Sequence, residues 1–348
     1  MAGLDEFSLI AHHFAPLAAS EPGAFDLTDD AAVLAIAAGH EVVVTADALI
    51  ADVHFLSADP PESVGAKVLA VNISDLAAMG AAPRAYVLTA AFPRTWPMDQ
   101  LDRWLVGFTT GLRAMQEDYG IVLAGGDTVA TPGPLALSVT AFGTVEPGCA
   151  LRRSGARPGD AVYVSGIIGD GVLGLGALGF GALGQGAKAN HVAGLPDELI
   201  APAITRYRTP RPRVALGRAL AGVAGGCADV SDGLIADLGH ICRASGVYAI
   251  IEAKRVPFSP AGRALLAADA DLLPVLLTGG DDYELVFTAS SDQASAVEDA
   301  ARKAGVRVHA IGRIEAPALG GPSGGCPVAV QDANGEPVAV ERGGWSHF

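Results

Sequence analysis

The sequence predicts a two-domain α/β protein, and three features carry that expectation. Its 348 residues exceed what one ordinary core accommodates. Half of the residues are apolar and only 18% are charged, the balance of a well-packed chain. Short β-branched runs such as EVVVTAD (41–47) alternate with stretches of helical periodicity such as 98–119, where Trp104, Phe108 and Leu112 fall on one face. The break between domains falls within Glu146–Asp160, EPGCALRRSGARPGD, giving domains 1–148 and 149–348.

In chain order, an amphipathic helix is expected over 5–15, then a Pro/Gly loop to Asp26 and the acidic step Asp29-Asp30 ahead of an apolar run. The strand EVVVTAD ends on Thr45 and Asp47, and His54 closes the following ALIADVHF. A helix entered through Pro61 leads to NISD (72–75), whose Ser is expected to cap a further helix stopping at Gly80. A strand, the long helix after Pro97, and the strand IVLAGGD follow; the two glycines before Asp127 suggest a turn where backbone approaches a ligand, although Gly-Gly-Asp is also a common tight turn. PLALSVTAF completes the first domain as a strand.

In the second domain, Gly169, Gly171 and Gly174 satisfy G-x-G-x-x-G after the strand AVYVS, but no second strand ending in an acid follows about 20 residues on. We therefore read these glycines as letting a helix pack close to the sheet rather than as a dinucleotide site. Arg152, Arg153 and Arg157 suit either a phosphate or a solvated linker, and the run Arg206–Arg213 suits a solvated face or a subunit contact. The stretch CADVSDGLIADLGH (227–240) holds three carboxylates and no Lys or Arg. The strand GVYAIIE, a helix from Ser259, the acidic turn GGDDYE, a strand-helix-strand over 283–313 and a hairpin turning at Asn334-Gly335 complete the chain.

A net charge of −15 argues against sequence-independent nucleic-acid binding and against an anionic membrane surface. No segment is long and apolar enough to be expected to span a bilayer. The four cysteines show no C-x-x-C or zinc spacing, and we expect reduced thiols in a cytoplasmic protein.

The carboxylates carry the functional reading. Two like charges at ~4 Å repel by about 4 kcal/mol at an effective dielectric near 20, so Asp229, Asp232 and Asp237 together suggest a bound cation. The first domain echoes the pattern, with Asn72 matching Asp229 and Asp75 matching Asp232. Asp30, Asp47, Asp75, Asp127, Asp229 and Asp232 all fall at expected turns or element ends. Hard oxygen donors without Cys or clustered His select Mg²⁺ over zinc. With no Ser-His-Asp arrangement, H-E-x-x-H or Walker loop, the set suits holding several divalent ions that neutralise a polyphosphate and a phosphorylated acceptor.

The ordered pieces TDD, VVVTAD, HF, K-x-LAVN-x-SDLAAMGA, GGDT, RSGA-x-PGD, D-x-SDGL-x-DLGH, GG-x-DYEL and a terminal HF resemble the thiamine-monophosphate kinase family of the PurM-like superfamily over nearly the whole chain. The resemblance implies a two-domain PurM-like fold, with a dimer-forming sheet in the N-terminal α/β domain and a second α/β domain after it. It implies a homodimer with ATP between the domains and γ-phosphoryl transfer to thiamine monophosphate, giving thiamine diphosphate. It further implies that Asp30, Thr45, Asp47, Asp75, Asp127, Asp229 and Asp232 hold Mg²⁺, with Asp75, Asp127 and Asp232 closest to the chemistry. Gly125, Gly126, Arg153 and Ser231 would contact ATP; His54, Asp281 and Trp345 would contact thiamine monophosphate. The family usually has G-x-GDD where this chain has Leu27-Thr28-Asp29-Asp30, and Glu where it has Asp281. The alternative is another ATP-dependent enzyme of the superfamily acting on a different substrate.

Overall fold

The computed structural model describes residues 6–316, 326–332, 334–340 and 344, and the chain divides into two units: Met1–Leu76 with Ala81–Gly148, and Ala77–Gly80 with Cys149–Phe348.

In the first unit the opening helical stretch is broken into α1 (Glu6–Leu9), a π-helical turn (Ile10–Phe14) and α2 (Ala15–Ala18). β1 (Glu41–Ile50), β2 (Ala82–Pro93), β3 (Val122–Thr131) and β4 (Ala136–Val145) form one sheet in the order β1-β4-β2-β3, antiparallel except for the parallel β2–β3 pair. β1 is longer than the sequence suggested, because Ala48, Leu49 and Ile50 continue pairing with Ser138, Leu137 and Ala136; Thr45 and Asp47 are interior residues of the strand. β3 likewise runs through Gly125, Gly126 and Asp127. No turn forms at these glycines.

α3 (Pro61–Ala78) and α4 (Met98–Tyr119) are the unit's long helices. Phe108 and Leu112 of α4 are fully buried as their spacing predicts, and Trp104 stacks on Phe108 with ring centroids 4.7 Å apart. α4 ends at Gly120 in the left-handed conformation. NISD does not start a helix: Asn72, Ser74 and Asp75 lie within the last turns of α3, where the apolar residues on either side keep the helix continuous, and Ser74 is buried.

The second unit is built on a seven-stranded sheet, order β11-β10-β7-β9-β5-β8-β6. In chain order its elements are β5 (Ala161–Ser165), α5 (Asp170–Ala177), α6 (Gly186–Ala193), α7 (Asp197–Arg208), α8 (Val214–Ala219), β6 (Cys227–Asp229), α9 (Leu234–Ser245) and β7 (Tyr248–Glu252). α10 (Pro260–Ala268), α11 (Leu273–Thr278), β8 (Leu285–Ala289), α12 (Ala294–Ala304), β9 (Val308–Glu315), β10 (Val328–Gln331) and β11 (Pro337–Val338) complete it. The apolar face of α9, with Leu234, Leu238 and Ile241, packs with Val162 and Val164 of β5 and Val286 of β8. Ser259 caps α10 by accepting the Gly262 N–H at 3.0 Å, and the β10–β11 hairpin turns over Asp332–Glu336 with Gly335 at φ 85°.

The glycine-rich α5 packs closely, though against other partners than the sheet. A Cβ on Gly171 would lie 2.5 Å from the carbonyl oxygens of Gly280 and Asp281, and one on Gly174 would lie 2.3 Å from the Ala203 carbonyl of α7. The helix N-terminus where a pyrophosphate would sit is already filled. Asp282 accepts the N–H groups of Gly169 and Gly171 at 2.8 and 3.0 Å.

Candidate active site: two sets of carboxylates

In the first unit Thr45 and Asp47 share one face of β1, since side chains alternate along a strand. That face looks onto α3. Thr45 donates its hydroxyl to Asp75 Oδ2 at 2.5 Å, and the Asp47 N–H donates to Asn72 Oδ1 at 3.1 Å. Asn72 is itself fixed by donating to the Val68 carbonyl one helical turn back. Asn72 thus locks β1 to the helix, leaving Asp47 and Asp75, both half-buried, as neighbouring carboxylates with a hydroxyl beside them. His54 Nδ1 accepts the Ile50 N–H at 3.0 Å, so a neutral ring carries its proton on Nε2.

Asp127 belongs to a different group. The ladder partners Ala48, Ser138, Thr89 and Asp127 form one row across the sheet, on the face opposite Thr45 and Asp47. Asp47 and Asp127 also sit on opposite edge strands, about 14 Å apart at a spacing of ~4.8 Å per strand. Single-pocket convergence is therefore not what this unit builds from one chain. Asp127 instead lines a cavity of about 290 Å³ with Asp29, Asp30, Gly125 and Gly126, walled by apolar side chains including Ile10, Phe14 and Leu27. Gly126 is required here, because a Cβ would meet the Leu88 carbonyl oxygen at 1.9 Å; Gly125 has room for one. Phe25, Asp26 and Leu27 all have φ of 51–59°, a costly run for non-glycine residues, directly before Thr28-Asp29-Asp30 where the family pattern carries glycines.

In the second unit, Asp229 ends β6 and Ser231-Asp232-Gly233 lead into α9. Ser231 does not cap α9, whose N-cap position is Gly233. Asp237, in the first turn of α9 and 1% exposed, reaches back so that its Oδ2 accepts the N–H groups of Ser231, Asp232 and Gly233 at 3.0, 3.1 and 3.1 Å. One carboxylate satisfies three successive amides at a helix start, which fixes the path of the loop bearing Ser231 and Asp232. Burial, with the charges of Asp229 and Asp232 adding to it, pushes the Asp237 carboxyl well above the usual range.

The acidic turn packs against this loop. Asp281 N–H donates to the Ser231 carbonyl and Tyr283 N–H to the Val230 carbonyl, both at 2.8 Å. Asp281 and Tyr283 adopt φ of 61° and 50°, and the Tyr283 hydroxyl donates to Asp281 Oδ1 at 3.0 Å. The structure therefore brings Asp281 beside Ser231. Arg153 is exposed, and its guanidinium together with burial and Arg243 lowers the His240 pKa, burial contributing most. His240 lies in the same cluster as Asp232 and Asp237, with ligand atoms within 4.8 Å of one another. Trp345 lies outside the described residues.

The three acids of DDYE take different roles, which their spacing alone did not reveal. Asp282 caps α5, and burial raises its pKa to about 8. Glu284 is fully buried, accepts the Ser165 hydroxyl at 2.6 Å and pairs with both Arg206 and Arg213, the latter through Nε at 2.6 Å. The two ends of the basic run, Arg206 and Arg213, are thus anchored inside the unit, while Arg211 between them is exposed.

Carboxylate and hydroxyl oxygens predominate in both sets, with His240 the one nitrogen donor beside Asp232 and Asp237, and a donor set dominated by oxygen suits a hard divalent cation. Such a fold and donor set define an AIR synthase related protein. Models described as "AIR synthase related protein, N-terminal domain" and "C-terminal domain" match residues 28–145 and 157–321. The chain belongs to the thiamine-monophosphate kinase family: it is 39% identical to the thiamine-monophosphate kinase of Caulobacter vibrioides over 310 residues, 88% of this chain and 83% of the relative. The crystal structure of thiamine-monophosphate kinase from Stenotrophomonas maltophilia K279a superposes with a TM-score of 0.78 at 40% identity, covering 97% of this chain and 98% of that one. A structure described as AaThiL complexed with AMPPCP and TMP superposes with a TM-score of 0.72 at 28% identity, covering 99% and 97%.

Proposed function

We propose that this chain is a Mg²⁺-dependent kinase that moves the γ-phosphoryl group of ATP onto thiamine monophosphate, giving thiamine diphosphate and ADP. The observation that carries this reading is the 39% identity to a named kinase along most of both chains. The neighbouring Asp47 and Asp75, and the amide-fixed loop at Ser231-Asp232, supply the chemistry such a reaction needs.

In this reading 1–148 is the ATP- and Mg²⁺-binding domain and 149–348 its C-terminal companion. Asp30, Thr45, Asp47, Asp75, Asp127, Asp229 and Asp232 hold several Mg²⁺ ions, whose contribution when bound is to neutralise the phosphates. Gly125, Gly126, Arg153 and Ser231 contact ATP. His54, Asp281 and Trp345 face thiamine monophosphate. An oxygen of the acceptor phosphate forms the new P–O bond as the bond to the β–γ bridging oxygen breaks. That acceptor is already ionised near neutral pH, so no general base is called for; Asp75, Asp127 and Asp232 would supply positioning, and the Mg²⁺ they would hold would supply charge neutralisation.

We further propose a cytoplasmic homodimer. The face of the first sheet that bears Asp127 also exposes Val42 and Val44, at 46% and 56%, with Phe142 beside them in the ladder. Covering that apolar strip with a second copy would remove it from water. Among the described residues no helix is long and apolar enough to cross a membrane.

The test is incubation with ATP and Mg²⁺ and either thiamine monophosphate or thiamine as acceptor, reading products by chromatography. Thiamine diphosphate is expected from thiamine monophosphate alone. ATP consumption without it, or phosphate release from thiamine monophosphate without ATP, would overturn the assignment.

A further inference from the structure

The C-terminal ends of β5, β6 and β7 and the N-terminal ends of β8 and β9 share one edge of the second sheet. The Ser231–Asp232 loop and Asp281 occupy the β6–β8 end of that edge. At the β5–β9–β7 end opens a separate cavity of about 960 Å³, which none of the proposed reaction residues lines. Its walls include Val256, Phe258, Leu266 and Leu273.

Charge sets this cavity apart from the rest of an acidic chain. Of 23 Lys and Arg in the sequence, five (Arg206, Arg213, Lys254, Arg263 and Arg307) are among its 19 lining residues, with half-buried His309, whereas only one of 38 acids, Asp332, joins them. Arg206 and Arg213 share buried Glu284, Arg206 also lies 3.9 Å from Asp170, and Lys254 lies 3.7 Å from Glu252. The remaining two have no such partner among the described residues. Arg263 donates to the neutral Phe258 carbonyl at 2.6 Å, and exposed Arg307 has no side-chain partner among the described residues. Asp332 is engaged elsewhere: the N–H groups of Glu336 and Asn334 bind its carboxylate and hold its pKa below the usual value.

We propose that this cavity binds a small diphosphate or polyphosphate carrying an apolar or aromatic body, at a site distinct from the two carboxylate sets. The guanidinium and ammonium groups match the phosphates, and the apolar wall matches the body. The choice of physiological ligand rests on the function proposed above, in which ADP and thiamine diphosphate both have this chemistry.

The test uses the full-length chain in EDTA. Without divalent ions the carboxylate sets repel a polyphosphate, so any binding that remains reports on the cationic cavity. ADP, thiamine diphosphate and inorganic pyrophosphate are titrated separately by calorimetry. ADP or thiamine diphosphate is expected to bind more tightly than pyrophosphate and to weaken as salt rises. The double variant R263E/R307E is expected to raise that dissociation constant at least about tenfold, with the melting temperature and the initial rate in Mg²⁺ unchanged. Both residues are exposed and outside the proposed machinery, whereas changing Arg206 or Arg213 would strand buried Glu284. No binding by any probe in EDTA, or equal binding by wild type and R263E/R307E, would overturn the site, and equal affinity for pyrophosphate would overturn the apolar contribution. Charge-dependent binding in a protein that makes no thiamine diphosphate would leave this site standing while removing the proposed function.

Discussion

Asp237 Oδ2 accepts the backbone N–H of Asp232 at 3.1 Å while the same oxygen holds the amides on either side. The Asp237 side chain thereby fixes the backbone that carries Asp232. Asp237→Ala is expected to lose about 3 kcal/mol, since one buried and two part-buried amides lose their shared acceptor. Asp237→Asn keeps the volume and one acceptor oxygen, so it should fold, with kcat lowered and the Mg²⁺ requirement raised. Urea unfolding and a Mg²⁺ titration of the rate separate the two effects; an unchanged Mg²⁺ dependence in folded Asp237→Asn would reduce Asp237 to a stability residue.

Asp75 receives the Thr45 hydroxyl at 2.5 Å and faces the strand that bears Asp47. Asp75→Asn and Asp232→Asn are each expected to cut kcat by about a hundredfold or more even at saturating Mg²⁺, the scale seen when one preorganised electrostatic group is removed. Thr45→Val, which frees Asp75 to rotate, should cost less. Near-normal turnover in either Asn variant would remove that residue from the proposed chemistry.

Elements with local signals were legible from the sequence, and roles set by distant partners were not. α4 announces itself by its one-face spacing and Gly120, and the β10–β11 turn by Asn334-Gly335. Strand ends were less legible, because Ala48–Ile50 and Gly125–Asp127 continue pairing that only β4 and β2 can reveal. NISD and VSDG read alike yet lie in a helix interior and in a strand-to-helix loop, since what precedes each differs: the apolar, almost wholly buried α3 in one case, the short β6 in the other. Glu284 and its arginines are separated by 78 and 71 residues, beyond any spacing rule.

That same pairing gives a stability expectation. Glu284 is fully buried and compensates Arg206 and Arg213. Glu284→Ala leaves two partly buried guanidinium groups without their carboxylate and should destabilise by about 3–5 kcal/mol. Thermal and urea unfolding measure it. A loss below about 1 kcal/mol would mean that water replaces the carboxylate at little cost, as at an exposed ion pair.

Asp282 provides the pH dependence. Burial raises its folded pKa to about 8 while the Gly169 and Gly171 amides oppose the rise, and an unfolded aspartate titrates near 3.9. The folded state therefore binds the proton more tightly. Its stabilising share is full below about pH 4 and is lost as pH rises toward 8. Asp170, raised chiefly by burial, acts in the same direction, so the difference between wild type and Asp282→Asn isolates Asp282. Wild type should lose more stability than Asp282→Asn between pH 5 and pH 8; parallel losses would show that Asp282 stays ionised on its helix end.

The separation of Asp47 from Asp127 bears on assembly. The two residues occupy opposite faces and opposite edges of one sheet, so a single chain cannot easily direct both at one polyphosphate. A second copy packed on the face bearing Val42, Val44 and Asp127 would change which carboxylates neighbour one another, linking activity to assembly. Val44→Glu places a charge on the β1 edge of that face, at a position 56% exposed in the single chain, so the monomer should remain folded. It is expected to sediment as a monomer and to lose most kinase activity, with a melting curve that no longer depends on protein concentration. A monomeric Val44→Glu with full turnover would show that one chain completes the site alone.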